Sequence, residues 1–117
     1  MEQKWKLYEK MFALTYSGIK NYELRLNDYK RRRVNIGDIV TFVCTTNPEL
    51  TCQKVILKKE HYKTFNQFFV AHQLPNNEFT QEWRRVLNCV YKRKLIFKLG
   101  VVAFKLGDIK NDNIPNN

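Results

Sequence analysis

Residues 39–45 read Ile-Val-Thr-Phe-Val-Cys-Thr, a dense β-branched run with one aromatic. Such side chains are stiff at χ1 and crowd a helix, so the run predicts a strand. It constrains the fold because the segments on either side also read as strands. Upstream, Lys20 to Asn27 alternates: Tyr22, Leu24 and Leu26 point one way, and Glu23, Arg25 and Asn27 the other. Downstream, Thr46-Asn47-Pro48-Glu49 breaks the chain, and Leu50 to Lys58 alternates enough to return as a hairpin partner. Strands that follow one another in sequence favour an antiparallel or mixed sheet over a parallel one with helical crossovers.

The flanks supply helices and two further strands. Met1 to Tyr8 alternates loosely around Trp5 and Leu7. Glu9 to Ser17 gathers Met11, Phe12 and Leu14 on one side and ends at Gly18, a natural C-terminal stop. Lys30 to Arg33 reads as a polar connection, and Val34 to Asp38 as a turn in which Gly37 permits positive φ. Thr64 to Gln73 predicts a helix capped by Thr64. Thr80 to Lys94 predicts a second, capped by Thr80, with Trp83, Val86, Leu87 and Val90 on one face. Leu99 to Leu106 is a late strand, and Lys110 to Asn117 a polar tail expected to fray. The order β-α-β-β-β-α-α-β gives an α+β domain: a small curved mixed or antiparallel sheet with flanking helices, over residues 1–109.

Charge narrows the function. Twenty-one Lys and Arg stand against 11 Asp and Glu, a net +10 on 117 residues, which favours polyanion partners over a generic solubility role. No apolar run reaches the roughly 20 residues of a membrane span, so no membrane partner is expected. Cys44, Cys52 and Cys89 form no CxxC and lack metal-ligand spacing; no metal or cofactor is implied. The polar first ten residues do not read as a secretory signal. The expectation is an intracellular protein, cytoplasmic or nuclear and not secreted, with Lys30 to Arg33 a short candidate import signal. A hairpin centred near Pro48 would set Cys44 opposite Cys52. A disulfide there is conceivable but disfavoured in a reducing compartment.

Lys20 follows Gly18-Ile19 where a helix gives way to a strand. A lysine buried at such a corner loses basicity and can serve as a base or nucleophile. Glu23 and Arg25 share a strand face two positions apart, close enough to touch; on spacing alone they also fit an ordinary surface ion pair. Lys30, Arg31, Arg32 and Arg33 form the densest cationic run, with more cations at Lys54, Lys58, Lys59, Arg84, Arg85 and Lys92 to Lys94. Sharing a face, they would make a phosphate-binding stripe. Tyr8, Tyr16, Tyr22, Tyr29 and Tyr62 are candidates to stack on unpaired bases or to finish the edge of the core. His61 reads as solvated and His72 as part of an amphipathic helix.

Taken whole, "FALTYSGIKNYELRLNDYKRRRVNIGDIVTF" resembles the signature of ASCH domains, within the PUA-like superfamily. The resemblance rests on Phe12 and Leu14, Ser17-Gly18-x-Lys20, Glu23-x-Arg25, then Gly37-Asp38-Ile39 and Phe42. "YKTFNQFF" and "YKRKLIFKLGVVAFKL" resemble later parts of the family pattern, so that the likeness runs from about Trp5 to Leu106. It implies a small PUA-like β-barrel with flanking helices and a cleft lined by Lys20, Glu23 and Arg25. It also implies binding of RNA or nucleotides, with Lys20, Tyr22, Arg25 and Lys30 to Arg33 as contacts. Some bacterial members are enzymes, an acetylcytidine amidohydrolase and a ribonuclease. In the amidohydrolase pattern a lysine, a threonine three residues later and a downstream glutamate act together. The lysine matches Lys20, Glu23 stands in the threonine position, and Glu78 is the best-placed downstream acid. The expected function is therefore an RNA-binding or nucleotide-binding module. The alternatives are a hydrolase on RNA or modified nucleosides with Lys20 as general base, and a protein-interaction adaptor whose basic surface meets an acidic partner.

Overall fold

The computed structural model describes residues 3–109; the expected fraying of Lys110 to Asn117 lies outside them. In chain order the elements are β1 (Gln3–Leu7), α1 (Glu9–Tyr16), β2 (Tyr22–Leu26), α2 (Tyr29–Arg32) and β3 (Ile39–Cys44). There follow β4 (Thr51–Tyr62), α3 (Phe65–Ala71), α4 (Glu78–Val90), α5 (Arg93–Leu99) and β5 (Val101–Asp108). The strands form one five-stranded sheet in the order β1-β3-β4-β5-β2. The β1–β3 pair is parallel and the other three are antiparallel, so the expected mixed sheet is what forms. The sheet curls into a half-barrel of the PUA-like kind, bringing its two end strands towards each other. The Arg25 guanidinium on β2 spans that seam and donates through Nη2 to the Lys6 carbonyl on β1 at 2.9 Å.

The alternation of β2 explains why the strand is buried on both sides. Glu23 and Arg25 face the barrel interior, where Trp5 packs 6.0 Å from Phe42 and 5.3 Å from Phe104, centroid to centroid. Tyr22, Leu24 and Leu26 face outward, but α3 and its Phe68 cover that side: Phe68 lies 5.2 Å from Tyr22 and 5.7 Å from Trp83. The interior strand β5, between β4 and β2, is accordingly buried on both faces from Val101 to Phe104. Gly18 and Gly37 both take positive φ, as the stop after α1 and the turn before β3 require.

Four local expectations are corrected. Lys30 to Arg33 is not a connection but contributes to a short helix, because the Asp28 side chain accepts from the Arg31 N–H and caps it. Thr80 is not the cap of α4: Asn77 is, and Thr80 completes a capping box from the third helical position. That helix ends at Val90, and a separate helix, α5, fills the space before Gly100. The β3–β4 register pairs Phe42, not Cys44, with Cys52, and both thiols are free. The backbone hydrogen bond from Cys44 runs to Leu50, so the turn sits closer to the strand end than a hairpin centred at Pro48 would put it.

Phe68 ties the sheet to three helical rings, so its loss should leave a large cavity. Phe68→Ala is expected to cost about 3–5 kcal/mol in urea unfolding. A loss below about 1 kcal/mol would show that α3 packs independently of the sheet.

Candidate nucleic-acid cleft

The site is built where three pieces of backbone meet. The chain leaves α1 through Gly18 and returns with the Lys20 N–H donating to the Leu14 carbonyl at 2.9 Å, which turns the Lys20 side chain inward. Strand alternation then brings Glu23 and Arg25 onto the same inner face. Lys20 and Glu23 are each only 2% exposed. Glu23 binds both cations: Lys20 Nζ donates to its Oε1 at 2.5 Å, and Arg25 Nε to its Oε2 at 2.6 Å. Lys20 also donates to the Thr15 hydroxyl at 3.3 Å and lies 5.3 Å from the centre of the Trp83 ring. The Arg25 guanidinium stacks 5.3 Å over Trp5, with Tyr91 beside it.

These groups line an open cleft of about 280 Å³ between β1, β2 and α4. Lys20, Glu23 and Arg25 form its charged floor, and Trp83, Leu87 and Tyr91 its wall on the helical side. Burial pulls the Lys20 ammonium below its ordinary pKa despite the carboxylate beside it. Glu23 is held below the usual carboxylate range: burial pushes it up, but the neighbouring Lys20 and Arg25 charges outweigh that. Burial raises the Tyr91 phenol. With two cations against one carboxylate, the floor carries one uncompensated positive charge in a setting poor in water.

The cationic run divides. Arg31 turns inward, 5.0 Å over the same Trp5 ring as Arg25, and pairs with Asp28 at 3.2 Å. Its Nε is buried without a hydrogen-bond partner. Lys30, Arg32 and Arg33 are exposed on α2 beside the seam. Other expected contacts are engaged elsewhere. Tyr22 lies on the outer face of β2 and donates to Glu60 at 2.8 Å, away from the cleft. Glu78 is exposed in the first turn of α4 and does not line the cleft; the carboxylate beside Lys20 is Glu23. Lys54 is buried against Asp108 at 2.6 Å, and Lys59 donates to the Arg32 and Val34 carbonyls behind α2. His72 joins Tyr22 and Tyr62 on Glu60, as a clasp between α3 and β4. Trp83 and Tyr91 line the cleft, although patterning assigned the first to the core and left the second unplaced. Each is aromatic at an apolar position, so only the three-dimensional neighbours reveal its second role.

The ASCH domain family model matches residues 6–106. The chain belongs to the ASCH domain family. Two solved structures carry the same fold over nearly the whole chain. The crystal structure of hypothetical protein PH0355 is 27% identical, with a TM-score of 0.76, covering 93% of this chain and 100% of the other. The solution NMR structure of protein PF0455 from Pyrococcus furiosus is 25% identical, with a TM-score of 0.69, covering 95% of this chain and all of its own. No curated protein matches. The ASCH match contains all of β2 and the turn carrying Lys20, so the cleft lies wholly within the family domain.

The buried triad predicts an acid-linked stability term. Glu23 has a depressed folded pKa, so its contribution is complete above its unfolded value near 4.5 and is lost as pH falls through the lower folded value. Glu23→Gln is expected to cost about 3–5 kcal/mol at pH 7, since it strands a buried ammonium. The gap between wild type and variant should narrow below pH 4.5 in urea titrations. A gap independent of pH would mean that Glu23 is not ionised in the fold.

Proposed function

We propose that this ASCH domain binds RNA or a nucleotide in the cleft, with a phosphate or an anionic base edge held by Arg25 and Arg31. The observation that carries this reading is the uncompensated charge at the seam. Lys20 and Arg25 share one carboxylate, while the Arg31 Nε–H beside them is buried and unpaired. Arg31 shares the Trp5 ring with Arg25, so an anion drawn to Arg25 also meets the Arg31 charge. Trp5, stacked by both guanidinium groups, keeps them splayed as a pair. Glu23 orients Arg25, and Lys30, Arg32 and Arg33 extend the positive field along α2 for the neighbouring phosphates.

The position of Lys20 supports a second reading, hydrolysis. It is a lysine of lowered pKa on the floor of a cleft, hydrogen-bonded at 2.5 Å to a carboxylate that positions it. Incubation with RNA and with acylated nucleosides tests it. Product formation that disappears in a folded Lys20→Met variant would establish catalysis, and absence of product leaves binding as the function.

For binding, the exposed arginines give the cleaner test. Arg32→Ala with Arg33→Ala is expected to weaken single-stranded RNA binding across sequences. It should also reduce the magnitude of the log–log salt slope by about 1.4, the value for two lost phosphate contacts. Unchanged affinity and slope in filter binding would remove α2 from the interface.

A further inference from the structure

A second surface, apart from the cleft, carries an exposed aromatic amid cations. Phe97 on α5 is 93% exposed, the most exposed of the large hydrophobic side chains described. Helical spacing puts Arg93 and Lys94, one turn earlier, on its side of α5, and Lys98 follows it. The inner side of the same helix is held by Ile96 and Leu99 against the core, so Phe97 is not needed for packing. α5 has three cations and no acid in seven residues.

Phe97 also forms one wall of a groove of about 740 Å³. The other walls come from the end of β4 and from the chain leaving β2: His61, Tyr62, Lys63 and Asn27. No acidic residue lines it. Asn27, on the groove wall, has its Oδ1 buried without a hydrogen-bond partner. The Asn27 carbonyl accepts from Arg32 Nε at 2.9 Å, so the groove adjoins the basic helix α2. On its other side α2 sends Arg31 onto the buried Trp5 ring that also carries Arg25 of the cleft floor.

We propose that this groove is a second contact for a single-stranded nucleic acid, in which Phe97 stacks on a base and Arg93, Lys94, Lys63 and Lys98 hold the flanking phosphates. Positive charge without acids and a free aromatic face are the two things an unpaired nucleotide uses. A lipid surface would use the charge and the ring but not a groove walled by His61, Lys63 and Asn27. The α2 helix then joins two contacts on one strand, the cleft at one end and Phe97 at the other.

Phe97→Ala and Phe97→Trp separate stacking from folding, because the side chain is solvent-exposed and urea midpoints should match wild type. Both are titrated against a labelled 12-nucleotide oligouridylate, against uridine monophosphate, and against phosphatidylserine vesicles. Phe97→Ala is expected to weaken the 12-mer about tenfold, and Phe97→Trp to retain it. Uridine monophosphate is too short to span both contacts, so its binding at the cleft, followed at Arg25, should be alike in all three proteins, and failure of the groove is distinguishable from failure of the cleft reading. The proposal is overturned if the 12-mer binds Phe97→Ala as tightly as wild type, or binds none of the proteins. It is also overturned if Phe97→Ala loses vesicle binding alone.

Discussion

One carboxylate, Glu23, holds this structure's seam and its site together. It sits on an end strand of a curled sheet and accepts from Lys20 behind it and Arg25 beside it. Arg25, fixed in that way, reaches across to the Lys6 carbonyl on the opposite end strand. A curled sheet of five strands leaves unpaired backbone at both edges, and such edges invite association. Here a side chain bridges them, and α2 packs alongside, with Gln3 of β1 donating to the Lys30 carbonyl at 3.2 Å. Burying three charges is expensive, and replacement by apolar side chains would serve stability equally well. Their placement on the floor of a cleft supports the proposed role in recognition.

The two cationic contacts follow from how the basic run is folded. As a loop, Lys30 to Arg33 would point in no common direction. As a capped helix, it sends Arg31 inward to Trp5 and Arg32 back to Asn27. Arg31 thereby shares the Trp5 ring with Arg25 of the cleft floor, and Arg32 ties α2 to Asn27 on the wall of the Phe97 groove. Tyr29, exposed and stacked at 5.5 Å by Arg33, adds an aromatic face to that ridge. Much of the remaining positive charge has internal duties: Lys54 pairs with Asp108, Arg85 with Glu82, and Arg84 stacks 4.2 Å over Phe69. Ion pairs of this kind already cancel within the net charge of +10; α2 and α5 each add three cations with no acid in either helix.

Strand patterning was legible where burial follows the period of two, as on β1, and where β-branched residues run together, as on β3, and the family motif marked Lys20, Glu23 and Arg25 before any geometry was known. What could not be read were features set by long-range neighbours. The Asp28 cap that makes α2 a helix was visible in sequence, but four consecutive cations masked it as a loop. Tyr22 looked like a base-stacking residue, yet α3 covers its face and Glu60 takes its hydroxyl. Glu78 was the downstream acid by order along the chain, while the partner of Lys20 lies three residues away. Trp83 patterned as core and is core on one side, against Phe69 and Phe79, while its other side forms the cleft wall.

The central claim is that the Glu23-bridged pair presents a net positive charge to the cleft. It is tested most directly by following the side-chain ¹⁵N resonances of Arg25 Nε and Lys20 Nζ during titration with uridine monophosphate and, in parallel, uridine. The account predicts saturable shifts at Arg25 with the nucleotide, smaller ones at Lys20 behind Glu23, and none at either with the uncharged nucleoside. Equal shifts with both compounds, or shifts confined to α5 with Arg25 unmoved, would contradict it.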